Sequence, residues 1–230
     1  MTPVRRHGDV TRESGLSTAN ELVVLCGHSG THLDALGHAS VRGKLFGEKN
    51  ADEVQSHEGL RVLDIGSVAP LVARFVLFDV ARETGGPALP PGHAVTEQYL
   101  STIAAKFALA PAKGDVALIR TGWGALWDRP RRYEGTEGGI AGIDLSAARW
   151  LARARVAVVG ADNMTVEVEP KDAKDLPVHA FCLVEQGIHL LENLDLEPLA
   201  AAGAYEGLVV IAPLRLVGGT GAPVRPIALA

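Results

Sequence analysis

Short apolar runs, separated by polar and glycine-rich stretches, recur along the whole chain. Runs of about four to eight aliphatic and β-branched residues are typical of strands buried on both faces. Such runs lie at residues 21–26, 74–80, 116–120, 156–159 and 207–217, the last broken by a proline. They predict at least five strands, with the first buried like the others.

Three or four helices are predicted between these strands, from helical spacing in the first and from start and stop residues in the others. Three of them cover residues 97–108, 146–153 and 177–186. Thr96 is suited to cap the first helix, Pro177 to occupy the first turn of the third, and Gly187 to end it. Strands alternating with few helices predict an α/β or mixed α+β fold, a single domain over 1–230 with a mixed β-sheet core and flanking helices.

Composition narrows the class of protein. The chain has 230 residues, of which 47% are hydrophobic and 21% charged, and this is typical of a globular enzyme-sized domain. A net charge of -5 does not provide the positively charged surface that nucleic-acid binding requires. No apolar stretch approaches a signal-peptide core or a membrane span. We therefore expect a cytoplasmic protein with a small-molecule substrate, no nucleic-acid or membrane partner, and a homo-oligomeric state, dimer or tetramer.

Only two cysteines are present, Cys26 and Cys182. Two cysteines do not make a disulfide framework in a chain this long, so both are predicted to be free, buried thiols in a reducing compartment. Cys26 lies just before a histidine cluster. Two interpretations stay open for it, a nucleophile or a small hydrophobe closing a buried strand.

The histidine cluster is the main chemical signal. Three of the eight histidines fall within eleven residues, as His28, His32 and His38, with Asp34 between them. Imidazole and carboxylate are ligands that Zn, Mn and Fe accept, and three such groups with room for water make a catalytic site. His28, His32 and Asp34 are thus predicted metal ligands. The alternative is a chance gathering of structural histidines.

Glycines beside these ligands favour a tight, irregular loop over a helix. Gly30 would let the backbone fold back so that His28 and His32 reach one ion. Asp34 could bind that ion or bridge it to a second. His38 is predicted to be a free imidazole that moves protons near neutral pH.

Further polar residues lie at or near the ends of predicted strands. If 188–194 is extended, Glu192 shares a face with apolar neighbours while His189 points the other way. An acid on such a face needs a cation or a hydrogen-bond partner, so metal ligation of Glu192 stays open. Arg120 could bind a substrate carboxylate or pair with an acid, and Asp162 could support the site or belong to a turn. The loop over 128–142 is of a kind that covers a site or contacts a neighbouring subunit.

The run His28-Ser29-Gly30-Thr31-His32-Leu33-Asp34, with His38 four residues on, resembles the signature of the cyclase family of metal-dependent hydrolases, which includes kynurenine formamidase and isatin hydrolase. The resemblance continues through residues 43–46, 120–123, 160–163, 176–179 and 191–196. It implies a swivelling β/β/α-like core. It also implies that His179 and Glu192 complete a site for one or two Zn²⁺ or Mn²⁺ ions.

Two departures from the family pattern concern the substrate. Leu36 stands where many members have proline, and the N-terminal segment that helps line the pocket in relatives is expected to be shortened. The resemblance implies hydrolysis of a carbon-nitrogen bond in an amide, arylformamide or cyclic amide by metal-activated water. N-formylkynurenine is not expected to be the best substrate. The alternatives are a metal-dependent cyclase or dehydratase acting on a polyketide-like substrate, and a metal-stabilised binding protein.

Overall fold

The computed structural model describes residues 2–230. In chain order the strands are β1 (Thr2–Arg5), β2 (Asn20–Leu22), β3 (His32–Asp34), β4 (Lys44–Leu45), β5 (Lys49–Asn50), β6 (Gln55–Ser56), β7 (Gly59–Leu60), β8 (Leu71–Asp79), β9 (Ala94–Val95), β10 (Val116–Arg120), β11 (Gly139–Ile140), β12 (Gly142–Ile143), β13 (Val158–Ala161), β14 (Glu169–Pro170), β15 (His189–Glu192), β16 (Glu206–Ile211), β17 (Gly221–Pro223) and β18 (Ile227–Leu229).

The helices are mostly short and lie between the strands. The α-helices are α1 (Ala51–Val54), α2 (Val80–Glu83), α3 (Glu97–Phe107), α4 (Pro130–Tyr133), α5 (Leu145–Ala154), α6 (Pro177–His179) and α7 (Glu197–Ala202). A π-helix over Ala180–Gln186 continues α6. Among the described residues, no helix is both long enough and apolar enough to span a membrane.

One eight-stranded sheet organises the fold, in the order β17-β3-β15-β13-β10-β8-β16-β18. The four central strands, β15, β13, β10 and β8, run parallel. The flanking strands on both sides are antiparallel to their neighbours. The predicted mixed α+β domain, with a mixed sheet and flanking helices, is therefore confirmed.

Each face of the sheet supports its own apolar core. On β8, Val76 and Phe78 belong to the core on the helical face, whereas Phe75 and Leu77 belong to the core on the other face. This division follows from the alternation of side chains along a strand. Because both faces are covered, the predicted apolar strands at 74–80 and 116–120 are buried as expected, except for Arg74.

The prediction of a buried strand at 21–26 is wrong. β2 ends at Leu22 and pairs only with β1 in a separate two-stranded sheet. The residues that follow lie on the surface, and Val24 is 81% exposed. Cys26 is exposed as well, contrary to the expectation of a buried thiol, whereas Cys182 is buried. An apolar run favours extended backbone, but its burial depends on whether other strands flank it.

The predicted helices at 97–108, 146–153 and 177–186 are confirmed, with differences at their ends. The Oγ of Ser146, rather than Thr96, accepts a hydrogen bond from the backbone N–H of Glu97 at 3.1 Å. Gly187 ends the π-helix with a φ of +68°, as predicted from its freedom to adopt that conformation. Side chains distant in sequence can thus replace a predicted local cap.

Asp162 ties the ends of two central strands together. Its Oδ1 accepts hydrogen bonds from the backbone N–H of Thr121 at 2.8 Å and from the Oγ1 of Thr121 at 2.6 Å. Its Oδ2 accepts from the N–H of Gly122 at 2.8 Å. Burial raises the pKa of Asp162 to about 6, although these hydrogen bonds act in the opposite direction. Asp162 is therefore a buried residue that clamps the end of β13 to the end of β10, and its role is larger than that of an ordinary turn residue.

We predict that Asp162→Ala lowers the free energy of unfolding by about 3 kcal/mol, because it leaves buried donors of Thr121 and Gly122 unpaired. Chemical denaturation of the metal-free protein measures this loss. Asp172→Ala, at an exposed position, should change stability by less than about 0.5 kcal/mol. Equal stabilities of the two variants would contradict the clamp.

Candidate metal and active site

Strand β3 places two predicted ligands on one face of the sheet. His32 and Asp34 are two residues apart in an extended strand, so they share a face while Leu33 packs into the core on the opposite side. Glu192, at the end of β15, is the cross-strand partner of His32. The Nε2 of His32 lies 3.2 Å from Glu192 Oε2 and 3.6 Å from Asp34 Oδ1.

His28 reaches the same point from the turn before β3. Gly30 adopts a φ of +60°, which confirms the predicted chain reversal at this position. The Nδ1 of His28 lies 2.8 Å from Asp34 Oδ1. Gly221 on β17 leaves room for the ring, since a Cβ there would lie 2.5 Å from an atom of His28. The loop prediction is thus correct for the segment up to Gly30 and wrong for residues 32–34, which form a strand.

His179 enters from α6, more than a hundred residues further along the chain. Its Nε2 lies 3.4 Å from Glu192 Oε1 and 3.9 Å from Asp34 Oδ2. Its position in the first turn of a helix agrees with the prediction. The structure therefore brings His28, His32, Asp34, His179 and Glu192 into one cluster.

His38 lies beside this cluster on a tight turn, closed by a hydrogen bond from its own N–H to the carbonyl of Ala35 at 2.9 Å. Its ring centroid is 4.2 Å from that of His28 and 6.2 Å from that of His179. The residue is exposed. Part of its ring is nevertheless desolvated, and this lowers the pKa of His38. The neighbouring His28 and His179 lower that pKa further, whereas the charge of Asp34 acts in the opposite direction. A lowered pKa keeps the imidazole neutral and able to accept a proton near pH 7.

The cluster fits a divalent metal ion. One ligand atom each from His28, His32 and Asp34 lies within 4.8 Å of the others, and the same holds for Asp34, His38 and His179. Both oxygens of Asp34 and the Oε1 of Glu192 are buried without a hydrogen-bond partner among the described residues. Burying carboxylate oxygens unpaired is costly, and a cation between them would remove that cost. The donor set, imidazole with carboxylate, is one that Zn²⁺ and Mn²⁺ accept.

Hydrogen bonds hold the outward nitrogen of three of the histidines. The Nε2 of His28 lies 2.9 Å from the Oγ1 of Thr220, and the Nδ1 of His32 donates to the carbonyl of Gly30 at 2.8 Å. The Nδ1 of His179 lies 2.5 Å from the Oε1 of Glu167. Such contacts fix ring orientation and leave the other nitrogen facing the carboxylates, as is usual for metal-binding histidines.

The histidines and carboxylates of the cluster shift one another's pKa values towards the charged forms. Burial lowers the pKa of His179, but its close contacts with the carboxylates of Glu167 and Glu192 outweigh burial and raise that pKa to about 10. Burial raises the pKa of Asp34, but the surrounding histidines outweigh it and lower that pKa. The raised pKa values of His32 and His179 favour their protonated forms beside the carboxylates, and a bound cation would take over this role.

A cavity of about 600 Å³ opens above the cluster. One wall is apolar or aromatic and comes from Trp127, Pro130, Tyr133 and Met164. Pro130 and Tyr133 belong to α4, so the segment at 128–142 borders the site. This agrees with the first of its two predicted roles, that of covering a site. A site of this kind combines a polar floor with an apolar wall, which suits a small organic substrate.

Asn193, Tyr133 and Glu167 were not predicted to belong to the site. The Tyr133 hydroxyl donates to the Oδ1 of Asn193 at 2.5 Å, and Asn193 Nδ2 donates to the Gly30 carbonyl at 3.1 Å. Asn193 directly follows Glu192, and this adjacency was the available signal for it. Glu167 and Tyr133 carry no local pattern that links them to the histidine motif, so only the folded chain reveals their contacts.

Three other polar residues lie outside the cluster. Arg120 forms ion pairs with Asp79 at 2.6 Å and with Glu197 at 2.9 Å, which supports the acid-pairing interpretation. The Nδ1 of His189 donates to the backbone carbonyl of Asp34 at 2.7 Å and so supports β3 instead of facing the cluster. Cys26 is not among the residues that line the cavity, so its position gives no support to a nucleophilic role.

Comparison with known proteins identifies the family. The model of the family described as "Putative cyclase" matches residues 5–168, well over half of the chain. A crystal structure described as a novel cyclase is 30% identical, with a TM-score of 0.86 over 94% of this chain and 72% of that one. The chain therefore belongs to the cyclase family, as the sequence motif predicted.

Two enzymes are among its relatives and neighbours. The kynurenine formamidase of Salinibacter ruber is 29% identical over 200 residues, which cover 87% of this chain and 74% of that enzyme. An isatin hydrolase bound to the product analogue thioisatinate has a TM-score of 0.71 at 22% identity, over 95% of this chain and 78% of that one. The second likeness shows a shared fold.

We predict that the protein purified without chelator carries at least one Zn²⁺ or Mn²⁺ per chain and that His32→Ala loses most of it. His32 contacts both unpaired carboxylates, so its removal opens the centre of the ligand set. Elemental analysis of the purified proteins measures the metal content. His57→Ala, at an exposed position away from the cluster, serves as the matched control and should keep full occupancy. A folded, active and metal-free wild-type protein would refute the prediction.

Proposed function

We propose that this protein is a metal-dependent hydrolase that cleaves the carbon-nitrogen bond of a small amide or cyclic amide. The observation that carries the proposal is the joint placement of a cluster able to hold a metal ion and of an imidazole whose ring no hydrogen bond fixes within residues 2–230, His38, at the floor of one cavity. Amide hydrolysis needs an activated water, a polarised carbonyl and a proton for the departing nitrogen.

A Zn²⁺ or Mn²⁺ ion held by His28, His32 and Asp34 would supply an activated water and would polarise the substrate carbonyl. His179 and Glu192 would complete the surroundings of this ion or would hold a second one, since the two oxygens of Asp34 face both groups of histidines. The ligand set thus serves one ion or two.

His38 differs from the other histidines of the site in how it is held. Hydrogen bonds fix the rings of His28, His32 and His179, whereas in the described part of the chain none holds the ring of His38. Its ring lines the cavity, and its lowered pKa favours the neutral form. We assign it the transfer of a proton from the attacking water to the departing nitrogen.

The cavity wall explains why a substrate would bind here in the required orientation. Trp127, Tyr133 and Met164 offer apolar contact opposite the polar cluster. A flat ring could pack against this wall while its amide faces the ligands. The Salinibacter relative, named a kynurenine formamidase, also supports a carbon-nitrogen bond as the target.

We predict that His38→Ala leaves the metal content near normal and lowers kcat by about 10²- to 10⁴-fold, because the proton transfer is lost. Elemental analysis and steady-state kinetics on the same preparation measure the two effects. His57→Ala should retain wild-type activity. If His38→Ala empties the site instead, His38 is a ligand, and the division of roles proposed here is wrong.

We predict that the metal-loaded protein hydrolyses at least one amide or cyclic amide in a panel of formylated aromatic amines, lactams, imides and simple esters. The site offers water activation, carbonyl polarisation and a proton donor for nitrogen together. Product formation followed by liquid chromatography measures turnover, and His32→Ala is the control for contaminating activity.

The panel also tests the competing chemistry. Activity confined to esters would argue against the amidase proposal. If the protein is folded and holds metal but hydrolyses none of these compounds, cyclisation or dehydration of a polyketide-like substrate becomes the better proposal. The same ion would then stabilise an enolate through the same ligands.

A further inference from the structure

We infer that Glu167 is a positioning residue that sets the orientation of His179 as a metal ligand. This inference rests on the metal site of the proposed function. Glu167 is 1% exposed and lies on a segment that the histidine motif does not include. Its carboxylate contacts His179 and the residue before it, and the contacts of Glu167 with the cluster run through His179.

The carboxylate of Glu167 holds the ring and the backbone of His179 at once. Its Oε1 accepts from the backbone N–H of His179 at 2.9 Å and lies 2.5 Å from the Nδ1 of the same residue. Two contacts from one oxygen fix the ring relative to its own main chain. The Nε2 is then the nitrogen left to face Asp34 and Glu192, at 3.9 and 3.4 Å.

The second oxygen of Glu167 secures the helix that carries His179. Oε2 accepts from the backbone N–H of Val178 at 3.0 Å. Val178 and His179 lie in the first turn of α6, where backbone N–H groups have no partner within the helix, and Pro177 before them has no N–H at all. A buried carboxylate that satisfies both donors ties the start of α6 to the ring of its last residue.

Glu167 is itself held rigidly. It pairs with Ile143 in a short parallel bridge, through hydrogen bonds from Ile143 N to Val166 O at 3.1 Å and from Val168 N to Ile143 O at 2.9 Å. Gly142 lies directly against it, since a Cβ there would be 2.4 Å from the Glu167 carbonyl. The backbone of Glu167 is therefore fixed against β12, and its carboxylate can in turn fix the position of the His179 ring.

The test compares Zn²⁺ affinity in four proteins: the wild type, Glu167→Gln, His179→Ala and the double variant. The amide of Gln keeps the size of the side chain, but its NH₂ would face a donor of either Val178 or His179. We expect Glu167→Gln to weaken Zn²⁺ about 10- to 100-fold in the wild-type background. In the His179→Ala background we expect less than about a twofold further loss, because the ligand that Glu167 positions is already absent.

Competition against a chromophoric chelator measures the affinities, and the visible spectrum of the Co²⁺-loaded proteins reports the ligand geometry independently of activity. The bands should change in Glu167→Gln. Asp172→Asn is the control, since it removes an exposed carboxylate five residues further along the chain and should change neither affinity nor spectrum.

Equal losses of affinity in both backgrounds would show that Glu167 only supports the fold, and this would overturn the inference while leaving the metal site intact. Absence of Zn²⁺ binding by the folded wild type would refute the inference together with the proposed function. If circular dichroism shows that Glu167→Gln is unfolded, Glu167→Asp replaces it. Its shorter side chain cannot reach all three donors, and the same dependence on His179 is expected.

Discussion

The buried carboxylate of Asp34 is the constraint on which the rest of the site depends. Its side chain is fully buried, and its two oxygens lack hydrogen-bond partners in the described part of the chain. A carboxylate in such a position is stable only when positive charge surrounds it. Imidazoles from the turn before β3, from β3 itself and from α6 surround it, and together they form a candidate site for a cation.

The sheet makes this arrangement possible by inserting one short antiparallel strand beside a parallel core. β3 lies between β15 and β17, so His32 has a strand partner on each side. The register sets His32 opposite Glu192 and Asp34 opposite Gly221. A shift of one residue would turn both ligands to the opposite face, where Leu33 now packs. Stability of the core and geometry of the site are therefore linked.

The site separates residues that are fixed from one that is free. Three histidines are held by hydrogen bonds to Thr220, to the carbonyl of Gly30 and to Glu167. Fixed ligands reduce the cost of assembling a metal site, whereas a proton-transfer group must rotate or exchange protons with solvent. His38, on a turn at the edge of the cavity, satisfies the second requirement, and this contrast underlies its proposed role.

The sequence by itself determined the features that depend on neighbouring residues. The spacing of His28, His32 and Asp34 predicted a ligand set, Gly30 predicted the turn, and the apolar runs predicted the central strands, because periodicity and turn chemistry act over a few residues. The pattern at 188–194 left metal ligation of Glu192 open, and family resemblance then added His179 and favoured Glu192 as a ligand.

Only the tertiary structure decided which segments meet. It left the apolar run at 21–26 on the surface, because that run pairs with β1 alone. It joined Glu167 to His179 and Tyr133 to Asn193, although nothing local links the members of either pair. Strand order and register are set by the packing of the whole sheet, so a local pattern predicts that a residue is extended but not which residue lies across from it.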